Sequence, residues 1–222
     1  MEKKNIRNLL KILLIVFLIV IVLFLINTFR KFFIIKELQN NFAKFSSSQN
    51  YHIKSVAREK DGVIVTINYY AKGSKKVSIL EREKNGEINK ISMYDNGERT
   101  DTFWDNAEAK KAKLNSEPIM MISLYNGLEN DNDWFTFIAS IYSNIKKTTY
   151  NGKEGYVIKN FMSSMSLSSA EKNEILIEKA TGLLLKNDTG YSISEREYEF
   201  DNVSDTIFEE PDIGLYKLVD NN

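Results

Sequence analysis

The sequence predicts an α+β protein made mainly of antiparallel β-structure: an incomplete (half) β-barrel of about 9–11 strands covered by helices, plus one N-terminal transmembrane helix. Three observations predict it. Ile12–Ile26 is an unbroken apolar run. From Tyr51 onward, apolar residues recur at every second position between turn signals such as Asn85-Gly86 and Asn151-Gly152. Two apolar stretches of helical spacing interrupt the strands near mid-chain.

The apolar run comes first. Adding Leu9 and Leu10, with the Lys11 side chain reaching back to the interface, gives Leu9–Ile26. At roughly 1.5 Å per residue this nearly spans a hydrocarbon core of ~30 Å. The following residues, NTFRKFFIIKELQ, contain no small-residue cleavage site, so an anchor fits better than a removed signal peptide. Lys3, Lys4, Arg7 and Lys11 precede the run, against Arg30, Lys31 and Lys36 after it. That bias predicts a single-pass cell-membrane protein with a cytoplasmic N-terminus and an extracytoplasmic C-terminal domain. The chain divides into a cytoplasmic tail (1–8), the anchor (9–28), a juxtamembrane helix (29–50) and the β domain (51–222).

Charge follows the same division. Residues 1–36 carry seven basic residues and one acidic one, placed where anionic lipid attracts them. The rest holds 23 basic and 29 acidic residues and has no basic groove for nucleic acid. The 222 residues are 43% hydrophobic, which supplies one core, and the abundance of Lys, Asn and Ile suits an AT-rich bacterial genome. Cysteine is absent, which removes disulfides, thiolate zinc sites, thiol catalysis and the acylated cysteine of a lipoprotein.

Ile35, Leu38, Phe42 and Phe45 mark one stripe of a helix that Ser46–Ser48 ends. It either continues the anchor or breaks from it near Asn27, and it packs on the sheet or lies in the membrane interface. Strands follow at Tyr51–Glu59, along Val63, Val65, Ile67 and Tyr69, at Val77 and Ile79, at Ile91 and Met93, and at Phe103-Trp104. Lys60-Asp61-Gly62, Lys72-Gly73-Ser74, Asn85-Gly86 and Asn96-Gly97 turn the chain between them. Ala107–Leu114 reads as a polar helix or loop, and Glu117–Leu128 as a helix with Pro118 in its first turn. Asp131 or Asp133 caps a second helix running to about Ile145. Strands resume at Lys146–Tyr150, Tyr156–Ile158, Glu174–Glu178, Leu183–Asn187, Tyr191–Ile193 and Arg196–Asp201, with a Ser- and Met-rich loop over Phe161–Ser169. Pro211 closes the regular structure.

The second meander carries the phrases ILIEKATGLLLKNDTG and EREYEFDNVSDTIFEEPDI. A strand ending in Thr181-Gly182, then Tyr198, Phe200, Asn202, Val203 and a late Pro211, resembles the lipoprotein-carrier fold of the LolA/LolB type, above all its Gram-positive relatives. The resemblance covers roughly residues 36–218. It implies a half-barrel with an apolar face, lidded by helices, that receives acyl chains or a partner's hydrophobic segment. Two departures matter: this chain is tethered, and it lacks the acylated cysteine. Both point away from a shuttle between membranes.

Catalytic and metal constellations fare poorly. His52 is the single histidine and has no nucleophile motif beside it. Glu129, Asp131 and Asp133 lack the Gly and Glu spacing of a calcium loop and read as helix caps. Glu209, Glu210 and Asp212 read as a solvated turn. No cofactor motif is present, so the expectation is a non-enzyme without metal or cofactor. The apolar residues remain. Val65, Ile67, Tyr69, Ile79 and Met93 from the strands, with Met120, Met121, Leu124, Trp134, Phe137, Ile138 and Ile141 from the helices, are the groove candidates. Val63, Val77 and Ile91 complete the inward strand set, whose membership rests on strand parity. The expected ligand is a lipid, a lipoprotein or another apolar molecule. The alternative is a module that holds or regulates a cell-envelope enzyme.

Overall fold

The computed structural model describes residues 2–106, 109–116, 132–160 and 174–219. A single helix, α1, spans Glu2–Ser46. It does not break near Asn27, because no Gly or Pro interrupts it and Asn27-Thr28 costs only propensity. Its first half presents Leu9–Ile26 outward all round, a stretch long and apolar enough to cross a membrane. Its second half buries Ile35, Leu38 and Phe42 in the domain, so this segment packs on the sheet.

Among the described residues, twelve strands follow in one open sheet: β1 Asn50–Glu59, β2 Ile64–Lys72, β3 Lys75–Lys84, β4 Glu87–Asp95, β5 Thr100–Asn106, β6 Ala109–Lys113, β7 Asn144–Tyr150, β8 Lys153–Lys159, β9 Glu174–Glu178, β10 Leu184–Asp188, β11 Ser192–Phe200 and β12 Lys217–Leu218. Their spatial order is β12-β6-β5-β4-β3-β2-β1-β11-β10-β9-β8-β7, and the sheet is not closed into a barrel. Among the described residues, every pairing is antiparallel except β12 on β6. The N-terminal meander and the C-terminal one therefore meet at β1–β11, where Tyr51 pairs with Phe200 and Glu59 with Ser192 without interruption. The second helix, α2, is Asp133–Tyr142.

Four sequence expectations are corrected. Ala109–Lys113 is strand β6, because Ala112 is wholly buried opposite Phe103 and pairing overrides local propensity. The two strands expected over Tyr191–Asp201 are one strand, β11, since Ser194 and Glu195 keep their ladder partners Ala57 and Val56. The cap of α2 is neither Asp131 nor Asp133. It is Asn132, whose side-chain oxygen accepts from the Trp134 and Phe135 amides. That helix also stops at Tyr142, because Asn144 and Ile145 already belong to β7. The helix expected over Glu117–Leu128 and the loop over Phe161–Ser169 lie outside the described residues.

The core lies between α1 and one face of the sheet. Ile35 and Leu38 pack with Ala139, Tyr156, Ile158, Ile175, Ile177 and Leu184. Phe42 packs with Ile53, Tyr69, Ala71 and Leu183. Each fully buried aliphatic or aromatic side chain contributes about 1.5–3 kcal/mol. The Thr181-Gly182 turn has its reason here. Gly182 sits at φ +68°, and a Cβ on it would meet the Leu38 carbonyl oxygen 2.3 Å away and the Phe42 nitrogen 2.7 Å away. Only glycine lets the β9–β10 turn touch the α1 backbone.

Candidate functional site

Ladder register decides which side chains share the helix-side face. Ile53 pairs with Tyr69, Tyr69 with Ser78, and Ser78 with Met93, so all four point the same way. Ile67, Leu80, Ile91 and Trp104 form the next row. Val65 lies on the same face, opposite Ala57.

Ile79 does not. It pairs with Asn68 and Ser92 on the opposite face, and Val77 pairs with Tyr70 and Tyr94 there too. The two-residue turn Gly73-Ser74 joins Lys72 directly to Lys75, so odd positions of β2 face the same way as even positions of β3. Alternation read without the turn misplaces them. Leu80 and Trp104 are the residues the sequence reading missed. Counting register through Gly73-Ser74 and then through Asn85-Gly86 brings Leu80 into the row.

The strand candidates divide by cover. Tyr69 is buried beneath Phe42, and burial with the neighbouring Tyr51 pushes its phenol far up. Ile67 packs on that cluster's margin. Met93, Leu80, Ile91, Val65 and Trp104 are half-buried and belong to neither buried cluster. An apolar row over β2–β5 thus continues beyond the part of the face that α1 fills.

The helix candidates fall elsewhere. Phe137 packs on Phe29 and Phe32 of α1, at ring-centroid distances of 5.9 and 6.5 Å. Asp133 pairs with Lys36 at 2.8 Å, the Gln39 amide donates to the Thr136 hydroxyl, and Lys31 Nζ donates to the Ser143 carbonyl at 2.7 Å. These contacts run α2 antiparallel to α1, with its C-terminus toward the apolar stretch Leu9–Ile26. Ile141 lines a cleft against α1, Ile138 is half-buried, and Trp134 is exposed and stacked on Phe137. Met120, Met121 and Leu124 lie outside the described residues.

The opposite face is polar over β1 and β11. Arg58–Glu195, Lys54–Glu197 and His52–Glu199 form a cross-strand ladder, and exposed pairs of this kind add little stability. His52 stacks flat on Tyr70 at 4.2 Å and its other ring nitrogen lies 3.2 Å from Asn68 Oδ1, so the imidazole is held on both sides. Over β4–β6 the C-terminal segment covers this face, with Tyr216 edge-on to Phe103 at 5.1 Å. There Asp101 is fully buried, paired with Arg99 at 2.8 Å and accepting from the Asn115 amide. Burial and the Asp101 charge hold the Glu210 carboxyl above its usual range, against the opposing pull of Arg99. Asp212 caps a short helical turn through the Gly214 amide. Among the described residues, no three metal-ligating side chains converge.

No protein-family profile matches the chain, and no curated protein matches it. Solved structures similar to it include a DUF1329 family protein from Desulfovibrio piger, 13% identical, covering 78% of this chain and 94% of that one at a TM-score of 0.33. They also include MucB in complex with MucA(peri), 12% identical, covering 79% of this chain and 59% of that one at a TM-score of 0.34.

Proposed function

We propose that this chain is a non-enzymatic, membrane-anchored protein whose β domain lies outside the cytoplasm and binds an apolar ligand, an acyl chain or the lipid of a lipoprotein. The ligand would lie on the helix-side face over β2–β5. The observation that carries the reading is the row of Ile67, Leu80, Ile91 and Trp104 beside Met93. The ladder lines them up on one face, and all five stay half-buried while the neighbouring part of that face is filled by α1. Each methylene of an acyl chain laid there would gain about 0.8 kcal/mol. The four basic residues before Ile12–Ile26, against three after it, support the orientation.

The test is photo-crosslinking of a diazirine fatty acid to the full chain in detergent, with adducts mapped by mass spectrometry. The expected result is labelling of peptides within residues 64–104, lost in Met93→Glu. Adducts confined to Leu9–Ile26 would remove the groove and leave the same face to a protein partner.

A further inference from the structure

We propose that the cleft between α1 and the α2–β7 junction is a binding site for the phosphate of an anionic phospholipid, held at the membrane surface. Asn27, Arg30, Lys31 and Ile34 recur at spacings of three, one and three, so they share one face of α1. With Tyr142 and Asn144 they line a cleft of about 370 Å³.

The position of this cleft is set by the helix. The outward apolar stretch Leu9–Ile26 covers roughly 27 Å at 1.5 Å per residue, a little short of a ~30 Å hydrocarbon core. The next turn, carrying Asn27 and Arg30, therefore sits at headgroup depth. No flexible linker separates the two, because α1 is continuous and Thr28 is already buried in the protein. Phe29, Phe33 and Tyr142 stay exposed at this level, as aromatic residues do where one side is apolar and the other wet.

Charge completes the site. Among the described residues, no carboxylate lines the cleft. Lys159, opposite Asn144 in the ladder, is already paired with Glu174, and Lys36 and Lys179 are paired with Asp133 and Glu37. Lys31 donates to the Ser143 carbonyl at the α2 C-terminus, which offsets the negative end of that helix. Arg30 is exposed and has no ion-pair partner among the described residues. Its planar fork matches two phosphate oxygens. A phosphodiester at the bilayer surface presents such oxygens at the depth of Arg30, with its acyl chains running down along the apolar stretch.

This inference rests on the anchor reading, and the experiment separates the two. Membranes containing the full chain are first extracted with alkaline carbonate. Release of the chain would sink the anchor and the lipid site together. A retained chain is then purified in micelles with equimolar phosphatidylglycerol and phosphatidylcholine, and bound lipid is counted by native mass spectrometry. One phosphatidylglycerol retained in preference to phosphatidylcholine is expected. Arg30→Gln should cut that preference about fivefold, the loss expected for one cation at a lipid surface. Lys44→Gln, farther along the same helix, should leave it unchanged. Equal retention of both lipids, or an unaltered preference in Arg30→Gln, overturns the proposal with the anchor intact. Displacement of the lipid by millimolar glycerol 3-phosphate would show a site for small free anions and overturns it as well.

Discussion

The helix-side face of the sheet has two halves made of similar residues with different fates. Over β8–β11 and β1–β2, Ile35, Leu38 and Phe42 of α1 fill the space, and the strand residues beneath are buried. Over β2–β5, Val65, Leu80, Ile91, Met93 and Trp104 are as apolar, yet stay half-buried outside both clusters. Composition therefore does not separate core from candidate groove in this fold. The path of one helix does. One half carries stability and the other carries accessible apolar surface, which is what a binding role requires.

The sharpest way to break the first half is at Gly182. Gly182→Ala places a Cβ against the α1 backbone and forces a left-handed φ on a residue that resists it. A positive φ costs about 1 kcal/mol and a backbone overlap a further 1–3 kcal/mol, so a loss of about 3 kcal/mol is expected. Urea unfolding of the full chain in detergent measures it. A loss under about 1 kcal/mol would mean that α1 is not seated against this turn.

A matched pair of truncations sharpens the comparison. Leu38→Ala removes a side chain with no exposed surface and should cost about 2–5 kcal/mol. Ile91→Ala in the half-buried row should cost about 1 kcal/mol, since only part of its transfer energy is realised in the free protein. Added fatty acid should raise the unfolding midpoint of the wild type and of Leu38→Ala, and raise that of Ile91→Ala less. Equal costs at the two sites would show that both halves are closed core.

Much of this architecture was legible in the residues, and the gaps have physical causes. Strong turn signals bounded β3, β4 and β8, because Asn-Gly pairs tolerate positive φ, as Asn85 at +54° and Gly86 at +83° do. The stripe Ile35, Leu38, Phe42 announced a helix with one buried side. What failed was parity across a turn and strength of pairing. Ile79 alternates like its neighbours but is moved to the other face by Gly73-Ser74. Ala109–Lys113 has the composition of a helix, yet the edge of β5 recruits it. The α2 residues carry apolarity that suits a groove, but the partner they meet is the middle of α1, just past its outward apolar stretch, and no local pattern states that.

The smallest expected effect lies on the far face, where the C-terminal segment closes over Phe103. Glu210 is held above the ordinary carboxylate range by burial and by the Asp101 charge. A carboxyl whose folded value exceeds its unfolded one binds an extra proton in the native state. Its contribution is thus complete below the unfolded value near 4.5 and is lost as pH rises through the raised folded value. Wild-type stability should carry a small downward step with rising pH just above that point. Glu210→Gln keeps a donor aimed at Asp101 at every pH, so the step should vanish and stability at neutral pH should equal or slightly exceed that of the wild type. The apolar ligand's effect on the unfolding midpoint should be the same in both proteins, because Glu210 and the β2–β5 row lie on opposite faces. A change in that ligand effect in Glu210→Gln would mean that the two faces are coupled through β4 and β5, and the division between a filled half and a receptive half would have to be redrawn.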